Sequence, residues 1–215
     1  MTPAEESLVP VVPAVSGGVR AGTPEAAAGR RDAAYSRTLR ELRQRIDARF
    51  VALRYQGLDT IGHYYMGDTQ PGVVGDSNDQ DRRRHVQALE RYYMYIDAEV
   101  GAALAGLGPE DLLLVVAGFG MQRQNSLKQV AGRLLGDPEM TGTHDRAPDG
   151  FLLAHGAAVQ SGRLPRGSIV DVTPTVLYYF GLPVGRDMDG YARTDLFTRE
   201  FTSERPIAFI PSYSR

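Results

Sequence analysis

From Val86 to Leu107 an apolar residue returns at every third or fourth place: Val86, Leu89, Tyr93, Ile96, Val100, Leu104 and Leu107. At 3.6 residues per turn this spacing lines one side of a helix of about six turns. No other periodic signal in the chain is as long, and it restricts the fold more than any other segment. A helix apolar along one side must lie against other apolar surface, and the surface expected here is the face of a sheet. A chain of 215 residues can supply it within one sizeable domain.

The rest of the chain offers both strands and helices. Asp111 to Ala117 contains the unbroken apolar run Leu112–Val116, read as a central parallel strand apolar on both faces. Phe50–Leu53 and Phe151–Ala154 read as further short strands, and Ile207–Ile210 as an edge-strand candidate. Tyr35, Leu39, Leu42 and Ile46 predict an amphipathic helix, and Leu127 to Leu135 a short one. Another follows the cap and first-turn residues Ser168–Thr175 and is stopped by Gly181 and Pro183. Helices and strands alternate, which predicts an α/β fold with a largely parallel sheet sandwiched between helices.

Residues 1–31 have no apolar period and are read as a flexible arm before a domain over 32–215. Glu5 and Glu6 stand where a secretory leader needs positive charge, and Pro10 and Pro13 interrupt the apolar run. No run approaches the length of a membrane span, so the expected location is the cytoplasm. A net charge of -2 exerts no pull toward nucleic acid or an anionic membrane, and neither is expected as a partner. With no cysteine, any metal must be held by oxygen and nitrogen.

The stretch Tyr55 to Met66 places Asp59 and His63 just past the expected strand at Phe50–Leu53, where open α/β sheets put their chemistry. If residues 59 to 63 open a helix, the i, i+4 spacing turns carboxylate and imidazole toward one point. The plainer reading makes Asp59 a helix cap and His63 a half-buried ring with a backbone partner. His144, in the loop Glu139–Gly150, is free to reach inward as a ligand or outward to water. Arg82, Arg83 and Arg84 read as a solvated run, with a phosphate-facing patch as the sharper alternative, and His85 reads as a surface residue.

Three segments carry a family resemblance: Gly57-Leu58-Asp59 with Gly62-His63; Gly142-Thr143-His144 followed by Pro148-Asp149-Gly150-Phe151; and Ile169 to Leu177 running on to Gly181-Leu182-Pro183 and Asp187-Met188-Asp189-Gly190. In this order and spacing the chain resembles the carboxyl-terminal half of the type I phosphodiesterase and nucleotide pyrophosphatase branch of the alkaline phosphatase superfamily. The resemblance spans about Asp32 to Phe197 and implies an alkaline-phosphatase-like core with its amino-terminal part missing. It also implies metal-dependent hydrolysis of phosphate or related esters. Asp59, His63 and His144 fall on the family's ligands for one divalent cation, zinc by donor type, with manganese as the alternative.

The second cage of the family does not map. Where relatives carry Ser-Asp-His-Gly, this chain reads Ala117-Gly118-Phe119-Gly120, and neither Gly118 nor Phe119 can coordinate a cation through its side chain. The family's Thr or Ser nucleophile lies upstream of the matching region, so no catalytic residue is assigned. Thr60, Thr141 and Thr143 are the nearby hydroxyls. Two readings follow: a one-cation hydrolase domain acting on a small phosphate ester, or a non-catalytic binding module that keeps at most one metal site. Missing strands would leave a sheet edge exposed and favour self-association.

Overall fold

The structure, a computed structural model, describes residues 24–69, 79–125 and 140–214. In chain order its helices are α1 (Pro24–Arg43), α2 (Gly57–Tyr65), α3 (Asp79–Ala105), α4 (Val172–Tyr179) and α5 (Arg199–Glu204). Its strands are β1 (Leu113–Phe119), β2 (Gln122–Arg123), β3 (Gly142–Thr143), β4 (Asp149–His155), β5 (Val184–Gly185) and β6 (Phe209–Ile210). Of the arm expected over 1–31, residues 1–23 lie outside the described residues, and from Pro24 the chain is helical. The helix expected over Leu127–Leu135 also lies outside them. The chain forms two units, one of residues 1–102 with 119–150, the other of 103–118 with 151–215.

The first unit is built on α1, α2 and α3. The long helix predicted from the apolar stripe is present as α3, but it meets helices rather than a sheet. Its buried residues are Leu89, Tyr92 and Tyr95, which form a core with Ala33 of α1 and Ile61 of α2. Tyr93, a member of the stripe, remains 57% exposed. The face is rotated because two tyrosines bury their rings while giving their hydroxyls to buried acceptors. Tyr92 donates to the Asp32 carboxylate at 2.5 Å, and the Tyr95 and Ser36 hydroxyls share a bond at 3.0 Å.

Helix α1 shows the same inversion. Its buried side is Ala28, Asp32, Ala33 and Ser36, whereas Tyr35 and Leu42 of the predicted stripe are each 46% exposed. Small side chains let α1 approach closely, and its two buried polar groups are both satisfied: Asp32 by Tyr92, Ser36 by Tyr95 and by Tyr55 at 2.8 Å. Burial, followed by the bond to Asp32, pushes the Tyr92 hydroxyl far above the usual tyrosine range, so it stays a donor. Burial does the same to Tyr55.

In the second unit Tyr178, Leu196 and Phe197 form the core. The Phe201 ring stacks on Phe197 and Tyr179 with centroids 4.9 and 5.5 Å apart. Helix α4 ends as predicted at Gly181, whose φ of 68° is the left-handed conformation that a Cβ disfavours. The edge-strand candidate appears as β6, paired in parallel with β5.

The sheet expectation is overturned. Among the described residues there are three sheets of two strands each, β1 with β4, β2 with β3 and β5 with β6. The α/β fold with a largely parallel sheet between helices, and with it the alkaline-phosphatase-like core, is not what these residues form. Gly120 bonds back to Pro148 while Gly156 packs on Asp111, so β1 and β4 run antiparallel. Phe50–Leu53 is not a strand, and Phe50 is 59% exposed. The apolar runs have the composition of strands covered on both faces, yet Leu153 is 60% exposed and Phe151 54%. Composition expressed a demand for burial that a two-stranded sheet does not meet.

Candidate metal centre

The site begins with how α2 starts. Gln56, at its N-cap, gives no side-chain bond to the first turn. The cap comes instead from α1: the Asp32 carboxylate accepts the backbone N–H of Gly57 at 2.8 Å and that of Gln56 at 3.4 Å. Asp32 thus satisfies amides that a helix start leaves unbonded, and its negative charge sits at the positive end of the helix dipole. Gly57 is buried there, and a Cβ on it would overlap the Tyr92 hydroxyl. The result is a fixed first turn carrying Asp59 and a second carrying His63.

On α2 the predicted i, i+4 geometry holds, with Asp59 Oδ1 3.8 Å from His63 Nε2. The pair belongs to a helix preceded by a segment without regular secondary structure, not to the end of a strand. His144 follows directly on β3 and closes the group, its Nε2 2.9 Å from the same Asp59 oxygen. One ligand atom from each of the three residues lies within 4.8 Å of the others. A tetrahedral zinc site with bonds of about 2.0–2.2 Å spaces its ligand atoms roughly 3.3 Å apart, so small side-chain rotations would close this set onto an ion. The two imidazoles meet edge to face, centroids 4.8 Å apart.

The far nitrogen of each ring is held by a backbone carbonyl. His63 Nδ1 lies 3.0 Å from the Gly142 carbonyl oxygen, and His144 Nδ1 lies 2.8 Å from that of Gly120. A carbonyl oxygen can only accept, so both Nδ1 atoms carry hydrogen. In a neutral ring Nε2 then bears a lone pair, and at His144 that lone pair faces a carboxylate oxygen. Two acceptors at 2.9 Å repel unless a proton or a cation lies between them. Backbone carbonyls holding the outer nitrogens of two histidines are the usual support of a metal site, since they fix both tautomer and ring direction. Asp59, His63 and His144 could hold one metal ion.

Among the described residues the surroundings add no second cage. The Phe119 ring is 58% exposed and packs against His144 with centroids 4.3 Å apart. Thr60 and Thr141 spend their hydroxyl hydrogens on the backbone carbonyls of Gln56 and Tyr64, at 3.0 and 2.6 Å. Thr143 accepts the N–H of Asp145 at 3.1 Å.

His85 is not the surface residue the sequence predicts. It is partly buried, bonded through Nδ1 to Asp68 at 2.6 Å and stacked on Tyr65 at 4.1 Å. Its place beside the apolar stripe of α3 gave no sign of either contact. Sequence reasoning also missed Asp32 and Tyr92, because an aspartate and a tyrosine in helical segments give no signal for a bond between two helices. The carbonyls of Gly120 and Gly142 were equally invisible, since backbone groups leave no trace in a pattern of side chains.

No family model, no curated protein and no solved structure matches this chain. Among the described residues no helix is long and apolar enough to cross a membrane.

Proposed function

We propose that the chain is a metal-dependent hydrolase domain of the phosphodiesterase and nucleotide pyrophosphatase kind, which binds one zinc ion through Asp59, His63 and His144 and acts on phosphate or related esters. The observation that carries the metal is the facing of His144 Nε2 and Asp59 Oδ1 at 2.9 Å while His144 Nδ1 is committed to Gly120. The substrate class rests on the three sequence segments that resemble that family.

Two imidazoles and one carboxylate make the donor set of a catalytic zinc with an open fourth position, and a zinc ion bound so supplies a Lewis acid for a phosphoryl oxygen or for water. The protein's part is to hold and orient. Asp59 brings the negative charge, α2 sets its direction, and the carbonyls of Gly120 and Gly142 keep the two Nε2 lone pairs turned toward it. The Thr60 and Thr141 hydroxyls are engaged with the backbone, so neither is assigned as a nucleophile.

The test is zinc titration by calorimetry joined to turnover of bis(p-nitrophenyl) phosphate. One zinc equivalent, lost in His63→Ala and His144→Ala, with turnover that follows zinc occupancy, supports the proposal. No stoichiometric zinc and no turnover removes it. Phe119, where the family has a ligand of the second metal, favours a second reading in which the centre is a one-ion binding module. That reading requires one zinc equivalent and no turnover.

A further inference from the structure

We infer that Arg123 is the anion-binding residue of this centre, placed to take a phosphoryl oxyanion beside the cation. The assignment rests on the metal-site reading above and names the group that would receive the charged part of the ester.

Strands β2 and β3 are antiparallel, with Arg123 opposite Gly142 and Gln122 opposite Thr143. Directly paired residues send their side chains to the same face of a sheet, and alternate residues of one strand share a face. The face of this ribbon that carries Arg123 is therefore the face of Gly142 and of Met121. Helix α2 lies against that face, because a Cβ on Gly142 would strike the Gly62 carbonyl and a Cβ on Gly62 would strike Met121 Sδ, and it also receives the Thr141 hydroxyl from the other face at the Tyr64 carbonyl. His144, two residues beyond Gly142, turns to the same side and reaches Asp59 on α2. Continuing the register by one pair sets Met121 beside His144 and makes Arg123 the diagonal neighbour of His144. Such neighbours have Cα atoms about 7–8 Å apart, within reach of a long side chain. Gln122 faces the other way, bonding the Asp145 carbonyl.

The Arg123 Nε is shut off from solvent and has no hydrogen-bond partner among the described residues. A guanidinium group keeps its charge at any ordinary pH, and a donor withdrawn from water without an acceptor is unfavourable. An oxyanion removes that deficit. The planar fork of arginine matches two oxygens of a phosphoryl group, and a cation on the same side of the ribbon would bind a third. Arg123 and His144 lie on one face by strand register, and the Arg123 Nε lacks an acceptor that an anionic ligand has.

The experiment uses inorganic phosphate as probe, titrated into the full chain loaded with one equivalent of zinc and into the zinc-free chain. Arg123→Met is expected to weaken phosphate binding at least tenfold, leave zinc affinity within about twofold and keep the urea midpoint. Arg123→Lys, which retains charge without the fork, is expected to recover part of the binding. Phosphate affinity unchanged in Arg123→Met overturns the assignment. So does a loss of zinc affinity or of stability that matches the loss of phosphate binding, since Arg123 would then be structural. The two readings fail separately. Absence of a zinc equivalent in the wild-type chain overturns the metal centre, and Arg123 is then judged in the zinc-free chain, where binding unaffected by Arg123→Met overturns it as well.

Discussion

Tyr92 on α3 and Asp32 on α1 meet hydroxyl to carboxylate at 2.5 Å, and the same carboxylate oxygen accepts the first amide of α2 at 2.8 Å. Three helices are thereby tied at one buried anion, and the direction of Asp59 follows from it. Both side chains are almost wholly withdrawn from solvent, Tyr92 at 1% and Asp32 at 0% exposure. This arrangement stabilises the fold only while every donor to the carboxylate is in place.

Tyr92→Phe removes one donor and keeps the ring. The buried carboxylate is then left short of a partner, which costs about 1–3 kcal/mol. A lowered urea midpoint with an unchanged m-value is the expected result. A midpoint equal to wild type would show that the bond contributes nothing to stability.

Gly57→Ala separates two effects of opposite sign. At an exposed helical position the change stabilises by up to roughly 1 kcal/mol, because alanine is the better helix former. Here the added methyl would enter the space of the Tyr92 hydroxyl and press on Asp32, and overpacking of this kind costs about 1–3 kcal/mol. Steric conflict should win, giving a net loss of stability. Because α2 would shift with its cap, zinc affinity should fall as well. A variant more stable than wild type by thermal melting would sink this account of the close approach.

Zinc should raise the melting temperature and a chelator should return it. At free zinc a hundredfold above the dissociation constant, the linkage is about 2.7 kcal/mol. His63→Ala and His144→Ala should each abolish the shift. In the zinc-free state, removing either ring should change stability little, because each is partly exposed, at 25% and 30%. A zinc-dependent shift surviving in both variants would place the ion elsewhere.

What could be read from the sequence divides along physical lines. Asp59 and His63 were legible because helical spacing is a local rule, and α2 realises it. His144 was legible only through the order of motifs, since no periodicity joins it to α2. The helices at α1 and α3 were legible but their buried faces were not. Apolar counting gave Tyr35 and Tyr93 to the core, whereas pairing between polar groups put Asp32, Ser36, Tyr92 and Tyr95 there. The parallel sheet failed for a related reason. Leu112–Val116 and Phe151–Ala154 announce burial but do not say which strand lies alongside, and β1 pairs with β4 in the antiparallel sense.

The second unit supplies a prediction about acid. Asp171 accepts the N–H of Tyr191 at 3.0 Å and that of Ser168 at 2.8 Å, tying the start of α4 to the Gly190 turn. These two backbone bonds, helped by the charge of Arg193, hold its carboxyl below the usual carboxylate range. Asp195 is lowered in the same way, chiefly by its bonds to Arg193 at 2.8 and 2.9 Å. A carboxylate whose folded pKa lies below its unfolded value of about 3.9 binds fewer protons folded than unfolded. Its contribution is complete above that value and disappears as pH falls through the lower, folded one. Asp171→Asn, which keeps an acceptor but not the charge, should lower the urea midpoint at pH 6 and flatten its decline between pH 5 and 3. The effect should be modest, since both aspartates are partly solvated and water screens them. Unfolding curves for wild type and variant with the same slope against pH over that window would show that Asp171 does not couple folding to protons.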